Sequence, residues 1–413
     1  MVHTKPGRSR IYYGWVIVVA GTLGVFACLG FGRFALGMLL PSMAATLKLS
    51  YAQMGFISTG NFVGYLVAVF FSGTIVARIG QRHFIFLSLL TVGLTMALLS
   101  RSQAFAGLLA LYVLTGIGSG GANVSIMSLA SAWFAKHNRG KAAGYMAIGS
   151  GFAIVFAGFF IPFVNRADAA EGWRTSWLAL GGIVLLIAFL CLALVRNRPA
   201  ELGLAFPAEE RKHLAPGARA QTAKRMNIYR SATIYHLGTI YFLFGYTYVI
   251  YATFIVTTLV KERGMSEALA GNFWSVVGFL SLFSGPVFGS ISDRLGRKAG
   301  MIIVFFIQFL AYLLVASGLP GIFLYLSIFC YGLVAWSIPT IMAAAVGDYA
   351  GPESAAKALG FITLIFGLGQ ITGPAVAGVL AEGSGSFSSS FYMAAALAAA
   401  AIALAAALKA PQH

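Results

Sequence analysis

Long apolar runs recur along the whole chain, and they limit its fold more than any other feature. A membrane helix needs about 20 largely apolar residues. Runs of that length lie near 12–46, 51–77, 83–101, 104–133, 141–165 and 173–195. A second six lie near 230–261, 266–293, 299–318, 320–348, 355–382 and 387–408. Between the two sets runs a polar, proline-bearing stretch from Arg196 to Asn227 that includes Glu209, Glu210, Arg211 and Lys212. The expected fold is an all-α membrane protein of twelve transmembrane helices in two pseudo-symmetric six-helix bundles. The bundles are 1–195 and 230–413, joined by a linker at 196–229.

Charge supports lipid as the main solvent. Only 9% of the 413 residues are charged, against roughly 25% in a soluble domain. The net charge of +17 comes from basic residues clustered in short segments between the runs. That pattern belongs to membrane topology and not to nucleic-acid binding. With an N-terminus in the cytoplasm, 21 of the 28 lysines and arginines fall on the cytoplasmic side and six on the other. Both termini and the linker are therefore expected inside, in a bacterial inner membrane.

Neither a metal site nor an enzyme is expected. Cys28, Cys191 and Cys330 are far apart within apolar runs, and of the six histidines only His236 falls in a candidate helix, where a structural role is expected. No metal-ligand spacing, cofactor motif or nucleophile–base pairing is visible. The first apolar run is too long for the core of a cleavable signal and continues past Arg33.

An internal repeat divides the chain. Gly73, Gly80 and Gly116 recur as Gly289, Gly296 and Gly332, and Lys141, Gly144 and Gly151 recur as Lys357, Gly360 and Gly367. Each pair is 216 residues apart. A constant offset across four spans implies parallel halves, an architecture in which a solute site lies between the halves near the midplane.

At these residues the chain resembles the major facilitator superfamily. The segment after span 2 carries Gly73, Arg78, Gly80 and Arg82, and its counterpart after span 8 carries Gly289, Asp293, Arg294, Gly296 and Arg297. The second copy matches the superfamily's cytoplasmic-loop signature. The resemblance implies a latch that holds the cytoplasmic side closed, with guanidinium groups pairing across the bundles. The first copy has Ala77 where the acid is expected.

Three further segments resemble the monocarboxylate-porter and oxalate/formate-antiporter branch: Tyr13-Gly14-Trp15, Arg139-Gly140-Lys141-Ala-Ala-Gly144, and Arg198-Pro199-Ala-Glu201-Leu-Gly203. Gly32-Arg33-Phe34-Ala35 and Leu39-Leu40-Pro41 resemble the YbfB/YjiJ-like bacterial branch. The first resemblance places Arg33 on a carboxylate-binding lysine of span 1. It also implies an acid–arginine pair in span 8, where this chain has Ser281 and Gly285, and a basic residue in span 11, where the only lysine is Lys357 near one end.

Arg33 is the site residue that the sequence marks most strongly. It lies just beyond the centre of span 1, where burying a charge costs roughly 3 kcal/mol on insertion scales. All eleven acids fall in loops or at span ends. The guanidinium fork suits a carboxylate, so an organic anion is one partner for it; snorkelling or a backbone-carbonyl clamp is the other reading. Gly30 and Gly32 are expected to loosen the helix beside it. Asn61, Asn123, Tyr246, Trp336 and Gln370 complete the candidate binding set. Each also has a reading as interhelical glue, close packing or an interfacial aromatic belt.

The expected function is secondary active transport of a small organic anion, such as a monocarboxylate, by a monomer, with a proton or a counter-anion as co-substrate. Export of hydrophobic or drug-like compounds is the alternative. A non-transporting sensor is a third class.

Overall fold

The computed structural model describes residues 12–168, 171–204, 227–351 and 353–409. The termini and residues 205–226, which form most of the expected linker, lie outside the described residues. Among the described residues, eleven helices are long and apolar enough to cross a membrane. One of them, Tyr51–Leu99, is two helices meeting at Gly80, whose backbone leaves helical space at φ 78°, ψ 159°.

This makes twelve spans. The first six are α1 Gly14–Leu47, α2 51–79, α3 81–99, α4 Phe105–Trp133, α5 His137–Asn165 and α6 Gly172–Leu194. The second six are α7 Ala232–Glu262, α8 Glu267–Leu295, α9 Arg297–Ala316, α10 Gly321–Ala350, α11 Ala355–Ser384 and α12 Ser388–Ala407.

The repeat appears in the backbone. Gly296, between α8 and α9, takes φ 90°, ψ 153°, close to the conformation of Gly80 between α2 and α3. A side chain would be strained in that region, whereas glycine enters it freely. Each reversal therefore uses a single residue. The loops expected there are absent, and Asp293, Arg294 and Arg297 are helical.

The two sets touch along two symmetry-related seams. In α2, a Cβ on Gly55 would come within 2.4 Å of Pro374 O and 3.1 Å of Gly378 Cα on α11. In α8, a Cβ on Gly271 would come within 2.2 Å of Gly158 O and 2.7 Å of Pro162 Cγ on α5. One turn further along each helix, Thr59 Oγ1 donates to Ile371 O at 2.8 Å and Ser275 Oγ donates to Val155 O at 3.0 Å. Every residue of one seam corresponds to one of the other at the 216-residue offset. Small residues let the helices approach closely enough for hydroxyl-to-carbonyl bonds, which lipid does not compete for. At the end of each seam a carboxylate also crosses between the sets. Glu382 Oε2 accepts from Ala52 N–H at 3.3 Å, and Glu267 Oε2 accepts from Asn165 Nδ2 at 2.9 Å.

Both seams lie toward the face opposite the linker, and the molecule is closed there. Toward the linker face the two sets part. Gly144 of α5 and Gly360 of α11 have nothing within 4 Å of a built Cβ, and both line a cavity between the sets.

Candidate functional site

The cavity encloses about 1100 Å³ and is lined by both sets of helices, with Arg33 among its innermost residues. Local irregularity in α1 places that side chain. From Phe26 to Phe34 the helix widens to a π-helix, which shifts the backbone bonding by one residue and is frequent at functional sites. A Cβ on Gly30 would come within 2.0 Å of Ala153 Cβ, so the widened stretch sits tightly against α5. Its carbonyls are held by neighbours: Gly32 O accepts from Asn61 Nδ2 at 3.0 Å, and Arg33 O accepts from Tyr112 OH at 2.9 Å.

The Arg33 guanidinium has rings beside it and unpartnered edges. Its Cζ lies 4.2 Å from the centroid of the Tyr65 ring and 4.5 Å from that of Phe62. Such contacts stabilise a cation without neutralising it. Nε and Nη2 are buried and have no hydrogen-bond partner. These two donors point to the same side of the planar group and form the fork that receives a carboxylate. Among the described residues that line the cavity, the only charged ones are Arg33 and Lys141, and Lys141 is exposed at the mouth. The cavity is therefore electropositive throughout.

The other expected residues separate into three groups. Asn123, Gln370 and Trp336 line the cavity with Arg33. Asn123 Nδ2 donates to Tyr65 OH at 2.8 Å, and Gln370 Nε2 donates to Tyr248 OH. Trp336 lies where α10 breaks between Val334 and Ser337, its ring is 5.2 Å from Phe34, and its Nε1 is buried without a partner. Two irregular helices, α1 and α10, thus meet through Phe34 and Trp336 at the depth of the cation.

Asn61 lies in the wall behind Arg33, 1% exposed, bonded to α1 and to Tyr112 O. Tyr246 does not line the cavity. Its hydroxyl faces Met393 Sδ of α12 at 3.6 Å. The residue that α7 presents there is Tyr248, two positions on and so turned by about 200°.

Tyr65, Tyr248 and Phe62 complete the surroundings of Arg33 and were not foreseen. A signal for them existed. Tyr241, Phe244 and Tyr248 follow helical spacing along one face of α7, and Tyr65 is one turn beyond Asn61. The most apolar window of α7 is 94% buried, so its aromatic run is not an interfacial belt. His236 bonds Leu404 O at 2.9 Å, away from the cavity.

The expected latch residues pair within their own sets. Arg297 pairs with Asp293, and its Nε donates to Asp348 Oδ2 at 2.7 Å. Arg82 Nε donates to Leu192 O at 2.8 Å, while its N–H donates to Asn197 Oδ1 at 2.9 Å. Arg78 and Arg294 are exposed, as are Gly73 on α2 and Lys298 beside the second break. A Cβ on Gly289 would lie 3.2 Å from Thr340 Cγ2 of α10, in its own set. None of these contacts crosses between sets, because the sets are apart on this face. The charged triad has lost its repeat partner: Asp293, Arg297 and Asp348 correspond to Ala77, Gln81 and Ala132. In the first set Gln81 Nε2 donates to Ser128 Oγ at 2.8 Å instead.

Residues 25–409 match the family described as the uncharacterised MFS-type transporter YbfB. The chain belongs to this family of major facilitator transporters. It is 24% identical over 393 residues to the hexuronate transporter of Bacillus subtilis (strain 168), covering 88% of this chain and 87% of that protein. It is 25% identical over 403 residues to monocarboxylate transporter 2 of Mesocricetus auratus, covering 90% and 78%. The crystal structure of a D-xylose-proton symporter superposes with a TM-score of 0.74 at 18% identity, covering 95% of this chain and 97% of that one. That likeness is one of fold. The family consists of transporters and not of enzymes.

Proposed function

We propose that this transporter carries a small organic anion, a monocarboxylate or related acid, by alternating access, with Arg33 as the ligand of the carboxylate. The unpartnered Nε and Nη2 of Arg33, deep in a cavity whose described lining residues include no acid, support this reading most directly. A buried cation without a counter-charge is costly, and a carboxylate supplies the missing charge and two acceptors together. Two relatives described as carriers of hexuronate and of monocarboxylates point to the same chemistry.

The distribution of lysine and arginine assigns the linker face to the cytoplasm. On that assignment the protein is inward-open. The bundles, 1–195 and 230–413, rock about Arg33 while the two glycine seams part on the outer face. When the cytoplasmic side closes, Arg78, Arg82, Arg294 and Arg297 are brought toward the opposite bundle, Gly73, Gly80, Gly289 and Gly296 allow the helices to approach, and Asp293 holds Arg297 in place. Asn123, Gln370 and Trp336 line the path. With no acid among the described residues that line the cavity, the modes open to this site are a proton carried on the substrate itself, exchange for a counter-anion and facilitated diffusion. Counterflow into proteoliposomes with labelled lactate, formate, oxalate and benzoate tests this. Flux of at least one acid that Arg33→Gln abolishes supports the reading, and flux that Arg33→Gln leaves unchanged contradicts it.

Export of hydrophobic compounds is favoured by one observation, the many rings in the cavity wall. Cationic toxicants are disfavoured by the same unneutralised Arg33. Broad toxicant resistance on overexpression, without anion flux, would mark this second function.

A further inference from the structure

The cavity wall constrains which acid is carried, and this step rests on the anion reading above. We infer that the substrate is a monocarboxylate with a flat aromatic body, its carboxylate on Arg33 and Trp336 and its ring against Phe366 and the rims of Tyr241 and Tyr248.

Charge comes first. Among the described residues that line the cavity, Arg33 is the single cation at depth, since Lys141 is exposed at the mouth. A second carboxylate on a small diacid would be buried beside aromatic side chains with nothing to offset it. A monoanion leaves no such residue of charge.

The polar groups come next. A polyhydroxylated acid needs many donors and acceptors around its body. Here Asn123 Nδ2 and Gln370 Nε2 already donate to Tyr65 OH and Tyr248 OH, which leaves Asn123 Oδ1 as a single buried acceptor without a partner. Among the described residues that line the cavity, the buried donors without a partner are Arg33 Nε, Arg33 Nη2 and Trp336 Nε1. Three spare donors suit one carboxylate, which accepts several hydrogen bonds. They do not suit a ring of hydroxyls.

The rings give the third constraint. Tyr241 and Phe366 stack at 4.3 Å and 15°, Phe244 and Tyr248 at 4.9 Å and 15°, and Tyr248 and Phe366 lie within 8° of parallel. Phe366 is partly exposed to the cavity, Tyr241 and Tyr248 reach it by their rims, and Phe244 is fully buried behind them; Phe34, Phe62 and Trp336 add further rings around Arg33. An ordered array of near-parallel rings receives a flat apolar body, because aromatic pairs favour offset stacked or edge-on geometry.

Binding to the purified full-length protein, read by calorimetry and thermal shift, tests the inference. The probes are benzoate, phenylacetate, lactate, succinate, glucuronate, and the neutral isostere benzamide. Benzoate or phenylacetate is expected to bind at least about tenfold more tightly than lactate, succinate or glucuronate. Benzamide is expected not to compete, and Arg33→Gln is expected to abolish benzoate binding. Phe366→Leu, at a partly exposed ring, should weaken benzoate several-fold and leave thermal stability of the free protein near that of the parent.

Tighter binding of lactate, succinate or glucuronate overturns the aromatic assignment and leaves the anion reading intact. Benzamide binding as well as benzoate, insensitive to Arg33→Gln, overturns both. Absence of binding by every acid overturns the inference as well.

Discussion

At the scale of single residues, the site turns on how one guanidinium is surrounded. The rings of Tyr65 and Phe62 lie beside Arg33, and its Nε and Nη2 are buried without a hydrogen-bond partner. A cation–π contact of this kind contributes about 0.5–2 kcal/mol. Tyr65→Leu should therefore raise KM between about twofold and thirtyfold, while Tyr65→Phe, which keeps the ring, should change it little. Transport kinetics of the two variants check this, and equal effects would assign the role to the hydroxyl. Asn61, bonded to Gly32 O and Tyr112 O behind Arg33, is expected to act on stability more than on binding. Asn61→Ala strips the Gly32 carbonyl of its donor, and an unsatisfied buried carbonyl costs about 1–3 kcal/mol. A lowered Tm with near-parental KM is the expected result. Arg33 was legible in the sequence because charge within an apolar run is rare and expensive. Tyr248 was missed in favour of Tyr246 because a helical position is fixed only by its rotational phase, which no spacing within α7 settles without knowing the partner helix.

At the scale of helices, the two seams act as one device built twice. Thr59 on Ile371 and Ser275 on Val155 make the same bond at positions 216 residues apart. Interhelical hydrogen bonds in membranes average about 0.6 kcal/mol. Thr59→Val and Ser275→Ala should each shift the conformational equilibrium about threefold toward opening on the face away from the linker. The seams are separate, so the double variant should shift it about eightfold. Distances between spin labels across that face measure the shift, and an effect in only one of the two seams would contradict their equivalence. Gly55→Ala and Gly271→Ala go further, because their Cβ atoms would meet carbonyl oxygens at 2.4 and 2.2 Å. Apolar length and one glycine offset made the twelve spans and their repeat legible. The α2–α11 and α5–α8 pairing was hidden, since a small residue in the sequence does not name the helix it admits. The single-residue breaks at Gly80 and Gly296 were read as loops because a positive φ leaves no mark beyond the glycine itself.

At the scale of the whole molecule, the symmetric frame carries unequal parts. The first six helices hold the deep cation, and the second six hold the ring wall and the Asp293–Arg297–Asp348 triad. On the proposed mechanism, closing around an anion brings charge from one half against aromatic residues of the other. The cavity opens on the linker face, which the distribution of basic residues assigns to the cytoplasm. In a background without native cysteines, Thr363→Cys in the cavity wall should react with a membrane-impermeant thiol reagent faster in inside-out than in right-side-out vesicles. Substrate should slow that reaction, and the opposite sidedness would reverse the orientation.

The most direct measurement of the central claim is counterflow of labelled benzoate into proteoliposomes holding the parent protein or Arg33→Gln in equal, folded amounts. The account predicts rapid exchange for the parent and exchange at the protein-free rate for Arg33→Gln, with Arg33→Lys between them. Exchange by Arg33→Gln at the parental rate would show that the buried guanidinium does not bind the transported anion.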